Sequence, residues 1–283
     1  MGGGKHRPKK RAGLDVRGYR AVETVPPVNV HMRKAAKSVL PALYVKLLNA
    51  FGPQQWWPAQ TKFEVMVGAI LTQNTNWGNV EKAINNLKSQ GPLSPNALKN
   101  ISLTKLAALI KPAGYFNVKA VRLKNFISFF FSEYNGRLEK MAKEDPQWLR
   151  QKLLGVKGIG PETADSILLY ALDKPVFVVD AYTKRILYRH NLAGASDDYH
   201  SVQETFVRSL KQDVRLFNEY HALIVRLGKD YCKPHPRCQE CVLKDFHYSL
   251  TEKCSGCHRA LPVKEERRPF GKGFLCSRCF ENR

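Results

Sequence analysis

The chain has 283 residues, 43% of them hydrophobic, which is enough apolar material for a folded core and one or two domains. Lysine and arginine outnumber aspartate and glutamate 46 to 24, a formal net charge of +22, so the expected partner is a polyanion. No segment approaches the roughly 18 consecutive apolar residues of a membrane span, so nucleic acid stands ahead of a membrane as that partner.

Residues 1–30 read as a disordered basic tail. Lys5, Arg7, Lys9, Lys10, Arg11, Arg17 and Arg20 face a single acid, Asp15, before residue 21, and no apolar stretch makes a signal peptide. The tail either adds non-specific attraction to phosphate or is simply solvated. After Pro26-Pro27, Val39, Leu40, Leu43, Leu47 and Leu48 recur at helical spacing over 31–50. The stretch Gln54-Gln55-Trp56-Trp57-Pro58 interrupts that pattern, and 61–71 resumes it with Phe63, Val67, Ile70 and Leu71. Thr72-Gln73-Asn74-Thr75 is a polar stop. A helix is predicted over 77–89, ending near Gly91-Pro92, and further helices over 103–111, 116–134, 145–154 and 163–172, with Gly, Pro or Asn between them. Gly114-Tyr115-Phe116-Asn117 looks like a loose hairpin. Val176 to Val179 reads as an extended linker, with Asp180 capping a helix over 181–190. Helices over 200–211 and 216–229 complete an all-α core.

The segment Val156-Lys157-Gly158-Ile159-Gly160-Pro161-Glu162-Thr163-Ala164 carries the most chemistry. A Gly-x-Gly turn lets backbone N–H groups approach a phosphate, and the helix behind it adds a favourable dipole. Ile159 would plug between the flanking helices. A carboxylate held near DNA, as Asp180 would be, is useful only where a cation develops, which points to chemistry on a sugar.

With Asp180 at its fixed distance, this hairpin resembles the helix-hairpin-helix DNA glycosylases of the endonuclease III superfamily, over roughly residues 30–247. The resemblance implies an all-α, two-lobed glycosylase fold. Lobe one would cover about 60–172, and lobe two 31–58 with 173–231. It implies that Asp180 is the essential catalytic residue, stabilising an oxocarbenium-like sugar and orienting water. Gln73, Lys157, Gly158, Ile159, Gly160, Thr163 and Lys184 become the expected DNA contacts, with Gln73 entering the gap left by a flipped base. Bifunctional members carry a nucleophilic lysine eighteen residues before the Asp; here that position is Glu162. A glutamate cannot form a Schiff base, so a monofunctional enzyme is implied. Lys157 stands on the wrong side of the turn to replace it.

Trp56-Trp57-Pro58, Leu71-Thr72-Gln73-Asn74-Thr75 and Trp77 look like the 3-methyladenine DNA glycosylase III branch. The implied substrate is an alkylated purine in double-stranded DNA, stacked on Trp56, Trp57 and Trp77, with Glu162 hydrogen-bonding the flipped base. The branch's C-terminal pocket lysine has no clear counterpart. The alternatives are a bifunctional glycosylase/AP lyase using another lysine, mismatch or uracil removal on the same scaffold, and a non-catalytic nucleic-acid-binding protein.

All seven cysteines follow residue 231, an odd number in Cys-x-x-Cys pairs that favours metal over disulfides and a reducing cytoplasm. Cys232, Cys238, Cys241 and His247 (loop 232–247) resemble the [4Fe–4S] loop of endonuclease III relatives. The first gap is one residue short, and histidine stands at the fourth position. The set also suits Zn²⁺, and Cys254 is an alternative fourth ligand. Cys254, Cys257, Cys276 and Cys279 form a zinc-ribbon-like pattern in a module over 248–283. The protein is expected to act as a cytoplasmic, nucleoid-associated monomer.

Overall fold

The computed structural model describes residues 30–246, apart from 191, 195 and 245, and the segments 268–270 and 273–275. Twelve α-helices run through the described core. They are α1 (Val30–Phe51), α2 (Lys62–Leu71), α3 (Trp77–Lys88), α4 (Pro95–Asn100), α5 (Leu103–Leu109), α6 (Phe116–Tyr134), α7 (Leu138–Ala142), α8 (Pro146–Leu154), α9 (Pro161–Ser166), α10 (Ala181–Arg189), α11 (Tyr199–Ser209) and α12 (Val214–Asp230). A π-helical turn at Ile167–Ala171 continues α9. A short antiparallel pair, β1 (Arg268–Phe270) and β2 (Gly273–Leu275), sets Arg268 opposite Leu275. Among the described residues, no helix is long and apolar enough to cross a membrane.

Local chemistry sets the helix starts. The side chains of Thr61, Asn76, Ser94, Ser102, Asp145, Asp198 and Asp213 each accept a backbone N–H from the first turn that follows. Each such cap is worth about 1 kcal/mol. Proline opens α4, α8 and α9, where its missing N–H costs nothing. That is why the helix expected over 163–172 begins two residues earlier. Two helices were not foreseen, α4 and α7. Each buries one side chain, Leu98 or Met141, too few to write a periodicity.

The helices gather in two groups. In one, α2 packs against α3, α6 and α9, α6 receives α4 and α5, and α8 lies on α9. In the other, α1 packs against α11 and α12, and α10 against α12. The π turn touches both α2 and α12 and so joins the groups.

Two buried polar centres hold the connecting loops. Lys119 on α6 is fully enclosed, and its Nζ donates to Leu71 O (2.8 Å), Ala113 O (2.7 Å) and Thr75 Oγ1 (2.6 Å). It thereby ties the end of α2 and the 72–75 turn to the loop before α6. Burial, with Arg122 nearby, lowers its pKa to about 8. Lys119→Met keeps the bulk and strips the donors from three acceptors. We expect it to cost roughly 2–4 kcal/mol in urea denaturation; a loss under ~0.5 kcal/mol would show that the staple is dispensable.

The second centre is Asp165 on α9, which no solvent reaches. Arg150 of α8 grips it through both oxygens, at 2.6 and 3.0 Å. Tyr199 Oη (2.8 Å) and Gln203 Nε2 (2.7 Å) of α11 also donate to it. The same two side chains hold the extended run before α10: Gln203 Nε2 donates to Phe177 O (2.7 Å), and Val179 N donates to Tyr199 Oη (3.3 Å).

Candidate active site

A cavity of about 870 Å³ lies where the two groups of helices meet. Trp56 and Trp57 of the loop after α1, joined by a cis peptide, and Trp77 at the start of α3 form an aromatic wall. Their ring centroids lie 5.3–6.1 Å apart in tilted and edge-on arrangements. Tyr170 closes the back of that wall, 5.2 Å from Trp57. A flat ring can enter such a cage and stack, and a cationic ring gains further from the electron-rich faces.

The hairpin forms the rim. Gly158 has φ +100°, and a Cβ there would stand 2.4 Å from Arg122 Cγ, so only glycine fits. Ile159 is buried, and its N–H closes the turn onto Val156 O (2.9 Å). Gly160 precedes α9 without a side-chain cap, and a Cβ added there would meet open space. The uncapped N–H groups of that first turn are of the kind that bind anions.

Asp180 caps α10. Its Oδ1 accepts from Thr183 N (2.7 Å) and Thr183 Oγ1 (2.8 Å). The side chain is 12% exposed. Burial pushes this carboxyl up, but His221 and the Thr183 bonds outweigh it and hold the pKa below the ordinary aspartate value. Glu162, also on the cavity wall, goes the other way. Burial and then the nearby Asp180 charge raise it to about 7, against His221 and Lys184. The cavity therefore holds one firmly ionised carboxylate and one that keeps a proton up to neutral pH, a pairing suited to two different roles.

Trp56, Trp57, Trp77, Gln73, Gly158, Ile159, Gly160, Glu162, Thr163 and Asp180 all line this cavity. Gln73 and Thr163 are engaged with each other. Gln73 Nε2 donates to Gly158 O (3.0 Å) and Thr163 Oγ1 (2.9 Å), and Arg122 donates to Gln73 Oε1. Entry of Gln73 into a duplex would require that network to open. Lys157 and Lys184 stand outside the lining. Lys157 is exposed on the hairpin, where its carbonyl accepts from Asn125 Nδ2 (3.0 Å), and Lys184 Nζ reaches Asp197 O (3.5 Å).

Among the lining residues, sequence reading did not single out Arg122, Arg185, Tyr199 or His221, and it read Lys229 only as a basic residue facing phosphate beside the cysteine loop. Lys229 sits in the last turn of α12, its Nζ 5.6 Å from the Trp56 ring centroid, and is a cavity lysine that sequence spacing did not locate. Tyr115, in the expected loose hairpin, is 75% exposed at φ +45° on the loop before α6.

The cysteine loop docks on α10. Arg185 donates to Cys232 O (2.7 Å), and Arg189 to Lys233 O (2.7 Å), Pro234 O (3.0 Å) and Cys232 Sγ (3.2 Å). Leu243 N donates to Cys241 Sγ (3.4 Å). Cys232 is buried, Cys241 half-buried and Cys238 exposed; among the described residues no three His, Cys, Asp or Glu side chains are grouped to hold a metal ion. His247, Cys254, Cys257, Cys276 and Cys279 lie outside the described residues; of the expected 248–283 module, only β1 and β2 are described.

An enzyme that breaks a glycosidic bond inside a duplex needs a slot for the base, a charge beside the sugar and a grip on the strand. A cavity, the Asp180 carboxylate and the hairpin stand together in one place, as such an enzyme would require. Residues 67–212 match the model of the HhH-GPD superfamily base excision DNA repair proteins, and the chain belongs to that family. Protein MJ1434 of Methanocaldococcus jannaschii, assigned as a DNA repair glycosylase, is 49% identical over 206 residues, 72% of this chain and 93% of that protein. Endonuclease III of Sulfolobus acidocaldarius is 30% identical over 65% of this chain and 80% of its own length. Among solved structures, H. pylori 3-methyladenine DNA glycosylase (MagIII) bound to 1,N6-ethenoadenine is 29% identical with a TM-score of 0.57, covering 70% of this chain and 97% of that one. A trapped endonuclease III–DNA covalent intermediate shares the fold at 19% identity and a TM-score of 0.63, over 72% of this chain and 92% of that one. The protein is thus a DNA glycosylase of base excision repair, and DNA is its partner.

Proposed function

We propose that this glycosylase is monofunctional: it flips an alkylated purine out of duplex DNA, hydrolyses the N-glycosidic bond and leaves an abasic site. The observation that carries this is Glu162. Where the resemblance places a lyase lysine, a carboxyl group lines the cavity instead, and it cannot form a Schiff base with C1′. Asp180 stabilises the cation that grows on the sugar and orients the attacking water. The three tryptophans favour a cationic base, whose bond is already weakened, and a protonated Glu162 can donate to an acceptor on its edge. The hairpin takes the phosphate. The likeness to MagIII, whose structure holds a purine derivative, supports a purine substrate. One observation favours the lyase alternative: Lys229 lines the same cavity. Incubation with a panel of duplexes, each carrying one lesion, tests the substrate class. Free methylated adenine should appear first; release of uracil or mismatched thymine alone would overturn it.

For a metal, the thiols after α12 fit in part. Cys232 and Cys241 already accept N–H donors at sulfur, as thiolates in a cluster do, and the fourth ligand is His247 or Cys254. When bound, a [4Fe–4S] cluster would be structural, keeping this loop on α10, with Zn²⁺ in the module beyond. Metal analysis of the pure protein should find about four irons per chain and acid-labile sulfide. Zinc without iron would assign the loop to zinc instead.

A further inference from the structure

One polar group of the cavity wall has so far appeared only through its effect on the Asp180 and Glu162 charges. His221 on α12 is 5% exposed, and its Nε2 is buried with no hydrogen-bond partner. That nitrogen faces Asp180 Oδ2 at 3.6 Å, while Nδ1 lies 2.5 Å from the Tyr170 hydroxyl. We propose that His221, fixed in turn by Tyr170, is a positioning residue that holds the Asp180 carboxylate ionised and correctly rotated for base removal. The proposal rests on Asp180 being the carboxylate that acts on the sugar.

The two oxygens of Asp180 have unlike surroundings. Oδ1 is spent on the helix cap, bound by both Thr183 donors. Oδ2 is the oxygen available to a water or a developing cation, and it is the one that looks at the imidazole. At 3.6 Å the contact is too long for a hydrogen bond and acts as a charge–dipole contact. Its sign depends on which ring nitrogen carries the proton. The Tyr170 hydroxyl can donate to Nδ1 of a neutral ring or accept from a charged one, and in both cases Nε2 carries a hydrogen toward the carboxylate. The opposite tautomer would aim a lone pair at an anion. Burial, and then the Asp180 charge, hold the Tyr170 phenol well above its usual pKa, so it keeps its O–H.

The backbone supports the same arrangement. Tyr170 lies in the π turn after α9, which brings its ring within 6.0 Å of the imidazole. Phe177 lies edge-on to the imidazole, at 82° and 6.5 Å. The titratable groups around His221 are Asp180 at the start of α10, and Glu162 and Tyr170 on the α9 segment. Lys184, one turn into α10, acts on Glu162, and α1 turns its Tyr44 toward Tyr220.

The test is single-turnover base release from methylated duplex DNA by the full-length protein, followed against pH, for parent, His221→Gln, Tyr170→Phe and Asp180→Asn. His221→Gln should slow release roughly a hundredfold, as a small misplacement of a catalytic group does. Its acid limb should move up by about one pH unit, because Asp180 loses the neighbour that favours its ionised form. Tyr170→Phe should slow release about fivefold and move the limb the same way. DNA affinity should stay within about twofold of the parent. An acid limb unmoved in a folded His221→Gln protein overturns the proposal. If that variant does not fold, Tyr170→Phe, which loses one oxygen atom, decides by the same criterion. If Asp180→Asn keeps the parental rate, the reading of Asp180 itself fails, an outcome distinct from a silent His221.

Discussion

Asp180→Asn should lower single-turnover base release by about a thousandfold while leaving the fold intact. The substitution separates two jobs that share one side chain. As a cap, Asp180 needs an acceptor oxygen for Thr183 N and Oγ1, and asparagine still provides one, so α10 should keep its start. As a charge beside the sugar, it needs the carboxylate, and asparagine has none. The environment shows how strongly the charge is maintained: burial opposes it, yet His221 and Thr183 keep the group ionised. A neutral amide in that place gives an oxocarbenium-like sugar much weaker stabilisation. Melting temperature should move by no more than about 4 °C, the equivalent of roughly 1 kcal/mol. A rate loss under tenfold would mean that another group carries the reaction.

The largest stability effect should come from Asp165→Ala, a loss of about 3–5 kcal/mol in urea denaturation. Removing that carboxylate strands a bidentate guanidinium, a phenol and an amide that it now satisfies. Truncating one partner of a buried pair is costly because the other charge stays buried without compensation. The damage should also reach the active site. Tyr199 and Gln203 hold Val179 and Phe177, the residues that lead into Asp180, so base release should fall even at temperatures where the variant is folded. A destabilisation below ~1 kcal/mol would mean that Arg150 finds other partners and that the network is not a support.

Much of this fold could be read from the chain because its helices announce themselves twice, by apolar spacing and by caps. The ends of α6 fall where Phe116 and Tyr134 predicted them, with left-handed Tyr115 and Asn135 outside. Helix α4 carried a cap at Ser94-Pro95 but no apolar spacing, and α7 carried neither. The hairpin was legible because Gly158 must have positive φ, a demand visible in one residue type. Trp56, Trp57 and Trp77 were legible as a set and do gather on one wall. The cavity roles of His221 and Lys229 were not, because each lies on an amphipathic helix where a polar residue near Leu223, Ile224 and Val225 looks like any other. Their meaning comes from the docking of α12 on α10 and the π turn, a long-range contact that no local pattern encodes. The same is true of Gln73: sequence identified the residue, and only the fold shows its amide engaged with Gly158 and Thr163.

The central claim is that Glu162, in place of a lysine, makes this an enzyme that removes a base and stops. The most direct test is to incubate the full-length protein with end-labelled duplex DNA carrying one alkylated purine, with borohydride present in a parallel reaction. The account predicts stoichiometric free base, a strand that stays whole until heated in alkali, and no protein–DNA adduct under borohydride. Strand cleavage at the rate of base release, with a trapped adduct that disappears in Lys229→Ala, would contradict it and make the enzyme a lyase.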